Sequence, residues 1–334
     1  MARIGLRLGY DSRISPLEFQ ELAVQADIRG YESLWMTEGA GPDSLTYLTS
    51  MSMRTKRLKL ATGILPIFSR TPTVTAMSAA GLERISQGRF ILGLGVGNRH
   101  SVEDGHGVPY SRPMGRLRET VEIIQRLLAG ERVTHDGQVF QMKDGNIWSA
   151  IPSQKVPIYI AALGPQMLEL AGAIADGVLL SWTSFNYLKQ ALHQVHQGAT
   201  KAGRDPSGVD IAGYVRVAVV DDVTAARSGL KQQLVRYVHS PYYRGFFTDT
   251  GFQAEMIAVE SALQQGDDDA VSEAISEEMQ DQVAIIGNES ECLAKLAEMR
   301  AIGLQLPVVA PFSTGNIKSD HQRVIEAFAQ TDTI

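Results

Sequence analysis

The chain has 334 residues, of which 44% are apolar and 20% charged, with a formal net charge of −6. These values describe an ordinary globular protein, and an acidic balance without a basic stripe excludes a nucleic-acid-binding surface. No apolar run approaches the roughly twenty residues of a membrane span, and the lone cysteine, Cys292, excludes internal disulfides.

A first strand is expected at Arg3–Gly9, so early that no signal peptide fits before it; with the single cysteine this points to a cytoplasmic protein. Ser15-Pro16 opens a helix by the cap-plus-proline rule, ending at Gly30, and Tyr31–Met36 is a second strand. Asp43 or Ser44 caps a helix to Arg54, Leu58–Leu65 is a third strand, and a helix from Thr73 to about Ser86 closes at Gly88. Phe90–Leu94 reads as a fourth strand, apolar on both faces as in a parallel sheet. Pro113–Ala129 is an amphipathic helix with Leu117, Val121, Ile124, Leu127 and Leu128 on one side. Val133–Lys143 carries His135-Asp136-Gly137-Gln138 between alternating residues, which predicts an inserted hairpin. Val156–Ala162 is a fifth strand with a helix at Pro165–Ala175, and Gly177–Trp182 a sixth with a helix to about Gly203. Val209–Val220 is the seventh, followed by a helix at Thr224–Val238.

Residues Ser240 to about Gln282 break the alternation, first aromatic and then acidic. A helix at Glu289–Ala301, an eighth strand at Leu304–Ala310 and a helix at Ser319–Gln330 complete the chain. Eight strands, each followed by a helix, predict a single (β/α)8 TIM barrel over residues 1–334 with an insertion near 240–282, rather than an open doubly wound sheet.

The working face of such a barrel lies at the C-terminal ends of its strands. Those ends supply Asp11, Glu38, Thr62-Gly63-Ile64, Gly95-Val96-Gly97-Asn98, Leu163-Gly164-Pro165, Trp182 and Pro311-Phe312. Acids and bases are few and small groups many, which suits an aromatic cofactor better than hydrolysis. Gly93, Gly95 and Gly97 remove every Cβ where the fourth strand ends, so a flat ring is expected to lie on that backbone. A dinucleotide fingerprint would open straight into a helix, whereas a polar loop through His100, Asp104 and Pro109 follows here. At Ala162-Leu163-Gly164-Pro165-Gln166 a buried strand turns into a helix whose free N–H groups can take a phosphate or carboxylate; an ordinary strand-to-helix turn is the alternative.

Metal and triad chemistry find no motif. His193 and His196 read as surface residues of a polar helix face, Asp267-Asp268-Asp269 as a solvated acidic turn, and Cys292 as a small buried residue.

Four segments, Tyr31–Glu38, Leu60–Thr75, Ile85–Asn98 and Val156–Leu180, resemble the luciferase-like monooxygenase superfamily, whose members are barrels that bind a flavin or deazaflavin. The resemblance is closest to the branches that use coenzyme F420, especially methylenetetrahydromethanopterin reductase and its bacterial relatives. Thr62-Gly63-Ile64-Leu65-Pro66 with Arg70-Thr71-Pro72 is similar to their third-strand bulge, where a non-proline cis peptide supports the ring. The resemblance implies a cis bond at Gly63–Ile64, a ring over Gly63-Ile64 and Gly95–Asn98 with Asn98 bonding a ring heteroatom, and a phosphate tail at Leu163–Gln166.

Where sugar-phosphate and alcohol dehydrogenases of this group carry an Asp-His pair, the sequence reads Glu38-Gly39, which favours a reductase-like or oxidase-like role. Glu38 is then either a proton carrier beside the ring or an acceptor for backbone N–H groups of the following loop. Tyr242, Tyr243, Phe246 and Phe247 either line a lid over a small-molecule substrate or dock the insertion. The expected activity is hydride transfer between coenzyme F420 and an unsaturated or C=N-containing substrate. An FMN-dependent monooxygenase and a non-catalytic flavin-binding paralogue are the alternatives. A homodimer is implied by the resemblance alone.

Overall fold

A computed structural model of the chain describes residues 2–9, 11–39 and 41–330. Eight parallel strands close into a barrel: β1 (Gly5–Leu8), β2 (Ser33–Met36), β3 (Lys59–Thr62), β4 (Phe90–Gly95), β5 (Ile158–Ala161), β6 (Gly177–Leu180), β7 (Asp210–Val219) and β8 (Leu306–Pro311). Each pairs with the next in chain order, and β8 returns to β1. The continuous apolar runs follow from this arrangement, because each strand faces helices outside and other strands' side chains inside. Every residue of β4 is buried. One set of inward residues, Trp35, Ala61, Ile91, Tyr159, Leu179, Ala212, Tyr214, Leu306 and Val308, fills the barrel centre.

The outer helices are α1 (Pro16–Ile28), α2 (Ser44–Ser52), α3 (Pro72–Ser86), α4 (Pro113–Leu128), α5 (Pro165–Ile174), α6 (Phe185–Lys201) and α7 (Val223–Val238). Sequence punctuation sets their starts: Ser15 forms a full capping box with Glu18, Asp43 and Thr71 cap α2 and α3, and proline opens α1, α3, α4 and α5. The hairpin forms at Val133–Asp136 and Gln141–Gly145. Glu119 pins it by accepting the N–H groups of Gln138, Val139 and Phe140.

The irregular stretch after α7 is helical: α8 (Pro241–Asp249), α9 (Gln253–Gln265), α10 (Asp268–Glu273) and α11 (Glu277–Val283). It ends in a strand that the sequence reading did not contain, Ala284–Gly287, parallel to Arg216–Val219 of β7. Four residues without alternation carry no strand signature, and their partner lies some seventy residues earlier. Helices α12 (Glu289–Ile302) and α13 (Ile317–Ala327) flank β8.

The N-terminal end of the barrel is closed by charge. Arg3 donates to Glu32 at 2.7 and 3.0 Å and to Asp210 at 2.8 and 2.7 Å, and the Tyr159 hydroxyl donates to Asp210 at 2.5 Å. A groove lined by Arg3, Ser207, Gly208, Asp210 and Gln305 opens at this end, remote from the C-terminal face where barrels of this kind work.

Candidate active site

At the C-terminal face the third strand stops pairing at Thr62, bulges through Gly63 and Ile64, and resumes at Leu65–Pro66 beside Leu94 and Gly95 of β4. The Gly63–Ile64 peptide is cis, at the bond the resemblance implied. Three bonds hold this bulge. Gly63 N–H donates to Met36 O at 2.8 Å, the Thr62 hydroxyl donates to Gly93 O at 2.8 Å, and Gly93 N–H donates to the same hydroxyl at 2.9 Å. From across the barrel the Tyr214 hydroxyl donates to Gly63 O at 2.6 Å. Burial pushes that phenol up to about 12, so it remains a donor at neutral pH.

The glycines of β4 serve a purpose different from the one their spacing suggested. A Cβ at Gly93 would stand 1.9 Å from Thr62 O, and one at Gly95 would stand 2.8 Å from two Ile64 carbons. The space is therefore taken by the neighbouring bulge. Ile64, seated against Gly95, supplies the apolar surface, so the expected bare glycine backbone is replaced by a floor made of two strands. Gly97 differs: its φ of 69° lies in the left-handed region, which lets the chain turn off β4. Val96 is half-buried and Asn98 exposed. The Asn98 side chain accepts His100 N–H at 2.9 Å just before the next turn. That turn, Ser101–Gly105, is a π-helical one where the sequence predicted only a loop.

At the end of β5, Ala162 is buried and Leu163 half-buried, with the Leu163 carbonyl accepting the Tyr187 hydroxyl at 3.0 Å. Gly164 is the N-cap of α5 without a side-chain cap, Pro165 is in its first turn, and Gln166 is exposed. A Cβ at Gly164 would meet nothing within 4 Å. The first-turn amides of α5 thus lack a side-chain acceptor beside open space, as an anion-binding helix start requires.

Glu38, only 10% exposed, is fully engaged. One carboxylate oxygen accepts Arg70 Nη1; the other accepts Arg70 Nη2 at 3.3 Å, Ser44 N–H at 3.2 Å and the Ser44 hydroxyl at 2.8 Å. Arg70 also reaches Asp43, the cap of α2. This is the geometry of the structural acceptor rather than of a free proton carrier. Arg70, in the sequence only part of the bulge motif, is the partner that engages it on this side.

Sequence reasoning missed the other half of the mouth. Arg7 on β1 and Arg216 on β7 point inward among apolar residues; Arg216 is 5% exposed. The signal was available, since Arg216 continues the alternation Ala212, Tyr214 of the inward face. Arg216 lies over the Trp182 ring, and Tyr237 stands edge-on to Trp182 with centroids 4.8 Å apart. Burial lowers the Arg216 guanidinium to about 10. Burial also opposes ionisation of Tyr237, but Arg216 and Arg7 outweigh it and hold that phenol below its ordinary value.

The aromatic residues of α8 divide. Phe246 packs edge-on to Tyr187 at 4.8 Å and Phe247 to Trp182 at 5.7 Å, both buried, so this pair docks the insertion. Tyr243 meets Tyr237 at 4.6 Å, and Tyr242 is 60% exposed. Of the remaining residues at strand ends, Asp11 pairs with Arg13 at 2.6 Å and Phe312 is buried. His193 and His196 are exposed on α6, Asp267 caps α10, and Cys292 is buried beneath β7, its thiol pushed up to about 11 by burial.

Residues 1–306 match the family described as luciferase-like monooxygenase. A 5,10-methylenetetrahydromethanopterin reductase of Methanolobus tindarius is 33% identical over 291 residues, 86% of this chain and 88% of that protein. An F420-dependent glucose-6-phosphate dehydrogenase of Microbacterium testaceum is 35% identical over 236 residues, 66% of this chain and 70% of the relative. Among solved structures, the coenzyme F420 dependent tetrahydromethanopterin reductase of Methanopyrus kandleri superimposes with a TM-score of 0.84 at 26% identity, covering 98% of this chain and 97% of that one.

Proposed function

The chain belongs to the luciferase-like monooxygenase family, and from that premise we propose that it is a coenzyme F420-dependent oxidoreductase acting on a small unsaturated or C=N-containing molecule. Relatives named as F420-dependent enzymes support the coenzyme. The observation that carries the reading is the cradle: a floor of Ile64 against Gly95, locked by Thr62, Gly93 and Tyr214, facing the open start of α5. Gly63, Ile64, Gly95, Val96, Gly97 and Asn98 would hold the ring, and Ala162 to Gln166 the phosphate. When bound, the coenzyme supplies the hydride.

The protein's share is positional. The bonds from Tyr214 and Thr62 fix the floor before any ligand arrives, so little of the binding energy is spent on ordering it. Aromatic packing of Trp182, Tyr237 and α8 over the mouth excludes water. Glu38 holds Arg70 and the start of α2 against the rim; a proton-carrying role would require it to leave those bonds. Exposed apolar residues along one line of α3, Val74, Met77 and Ile85, support self-association as a homodimer.

The test is a titration of the purified protein with the deazaflavin and with FMN side by side. Micromolar binding of the deazaflavin with weak or no FMN binding is expected. Tight FMN binding and indifference to the deazaflavin would overturn the proposal.

A further inference from the structure

Arg7 and Arg216 occupy one rung of the barrel wall. Arg216 pairs with Ala310 of β8, and Arg7 lies one residue beyond the Leu6–Val309 pair, level with Ala310 on its other side. Two guanidiniums therefore flank a strand that carries only a methyl group between them, with strand spacings of about 4.8 Å. Both stand one layer above Tyr214, and Arg7 Cζ is 5.3 Å from that ring.

Among the described residues neither arginine has a carboxylate partner. Arg7 donates from Nε to the Thr37 hydroxyl at 3.1 Å, while Arg216 Nη1 is buried without any hydrogen-bond partner. One further buried polar atom beside Arg216, Trp182 Nε1, also lacks a partner. The carboxylates that approach this region are already committed: Asp11 to Arg13, and Asp320 to the Thr314 N–H and hydroxyl at 2.9 and 2.6 Å. Stacking on Trp182 and a side-chain hydrogen bond to Tyr237 offset part of the Arg216 charge, but they leave Nη1 without an acceptor. Buried cations are ordinarily paired, because removing an ion from water costs several kcal/mol. Arg216 is such a buried cation, and the half-buried Arg7 on the same rung repels it, which calls for an anion from outside the chain.

We propose that Arg7 and Arg216 form the receptor for an anionic group, a carboxylate or phosphate, carried by the substrate. The placement fits. The cradle is built at the ends of β3, β4 and β5, whereas the arginines stand on β7 and β1, across the mouth from it. A substrate anchored over Ala310 would project its reducible bond toward the cradle. The proposal rests on the assignment above only for the word substrate, since anion binding itself needs no coenzyme.

The test uses the cofactor-free protein, titrated calorimetrically with benzoate and with inorganic phosphate against chloride at equal ionic strength. At least one anion is expected to bind the wild type, and Arg7→Gln to weaken it at least about tenfold, the loss of one charge-assisted hydrogen bond. Arg216→Lys, which keeps the charge but loses the fork, should weaken it too, with folding of each variant checked by circular dichroism. Deazaflavin affinity should change less than about twofold in Arg7→Gln. Absence of anion-specific binding to the wild type, or equal binding by all three proteins, overturns the proposal. A loss of deazaflavin affinity matching the loss of anion affinity assigns the anion to the coenzyme and also overturns it. If the wild type binds anions through these arginines but no deazaflavin, the receptor stands and the assignment of coenzyme falls.

Discussion

Gly93→Ala is the sharpest probe of how the cradle is built. The added carbon would lie 1.9 Å from the Thr62 carbonyl oxygen, where a close C···O contact is about 3.3 Å. The obstacle is backbone, so no rotamer change relieves it, and β3 must move by more than about 1 Å relative to β4. That movement breaks both bonds between Gly93 and the Thr62 hydroxyl, worth about 1 kcal/mol each. Overpacking adds about 1–3 kcal/mol, for a total of about 3–5 kcal/mol. With an unfolding entropy of about 2.1 cal/mol/K per residue, a chain of 334 residues should lose about 4–7 °C of thermal midpoint. Urea unfolding followed by tryptophan fluorescence reads the same loss. Gly115→Ala on the exposed face of α4, where a Cβ meets nothing within 4 Å, should be neutral or raise stability by up to about 1 kcal/mol. If Gly93→Ala unfolds within about 1 kcal/mol of the wild type, β3 and β4 are not locked as described.

Tyr214→Phe removes the donor to Gly63 O and should cost about 1–3 kcal/mol in urea unfolding, with weaker deazaflavin binding in the same titration; unchanged values of both would refute the strut. Glu38→Gln should lower stability by about 1–3 kcal/mol through the lost Arg70 pair, with hydride transfer reduced less than about tenfold. A fall of about a hundredfold or more, without loss of coenzyme affinity, would instead make Glu38 a proton carrier. His321 is buried, donating from Nδ1 to Ile317 O at 2.7 Å while Nε2 lacks a partner. Burial holds it below its ordinary 6.5. The unfolded chain therefore takes up the proton first, and stability should fall as pH drops below about 6.5. The difference in urea midpoint between wild type and His321→Gln should narrow from pH 7.5 to 5.5; a constant difference would refute the linkage.

The barrel was legible because each strand is a short apolar run bounded by caps and glycines, and local chemistry suffices to place such elements. Leu58–Leu65 shows the limit. Its apolar character continues through the bulge, so periodicity cannot reveal that pairing stops at Thr62 and resumes at Leu65. The glycines of β4 marked the right place for a reason only the structure supplies: their vacant positions are filled by Thr62 and Ile64, thirty residues earlier. Glu38 was visible, but its partner Arg70 sits on another loop, and nothing in the sequence announces that the two are paired. Arg7 and Arg216 went unread because each is a lone charge in an apolar strand, and nothing in sequence puts them on one rung.

The strand Ala284–Gly287 has a consequence for the integrity of the wall. β7 is ten residues long, yet its neighbour β6 pairs only with Asp210–Gly213 before the chain swings away at Trp182, where φ is 52°. The upper half of β7 would then present unpaired N–H and C=O groups on that side, an open edge of the kind that recruits other chains. Residues 284–287 cover it, pairing with 216–219 on the flank that β6 abandons. The insertion thus ends as an edge guard for the barrel, and any shortening between Ser240 and Gln282 has to keep those four residues in register if the protein is to stay free of strand-mediated aggregation.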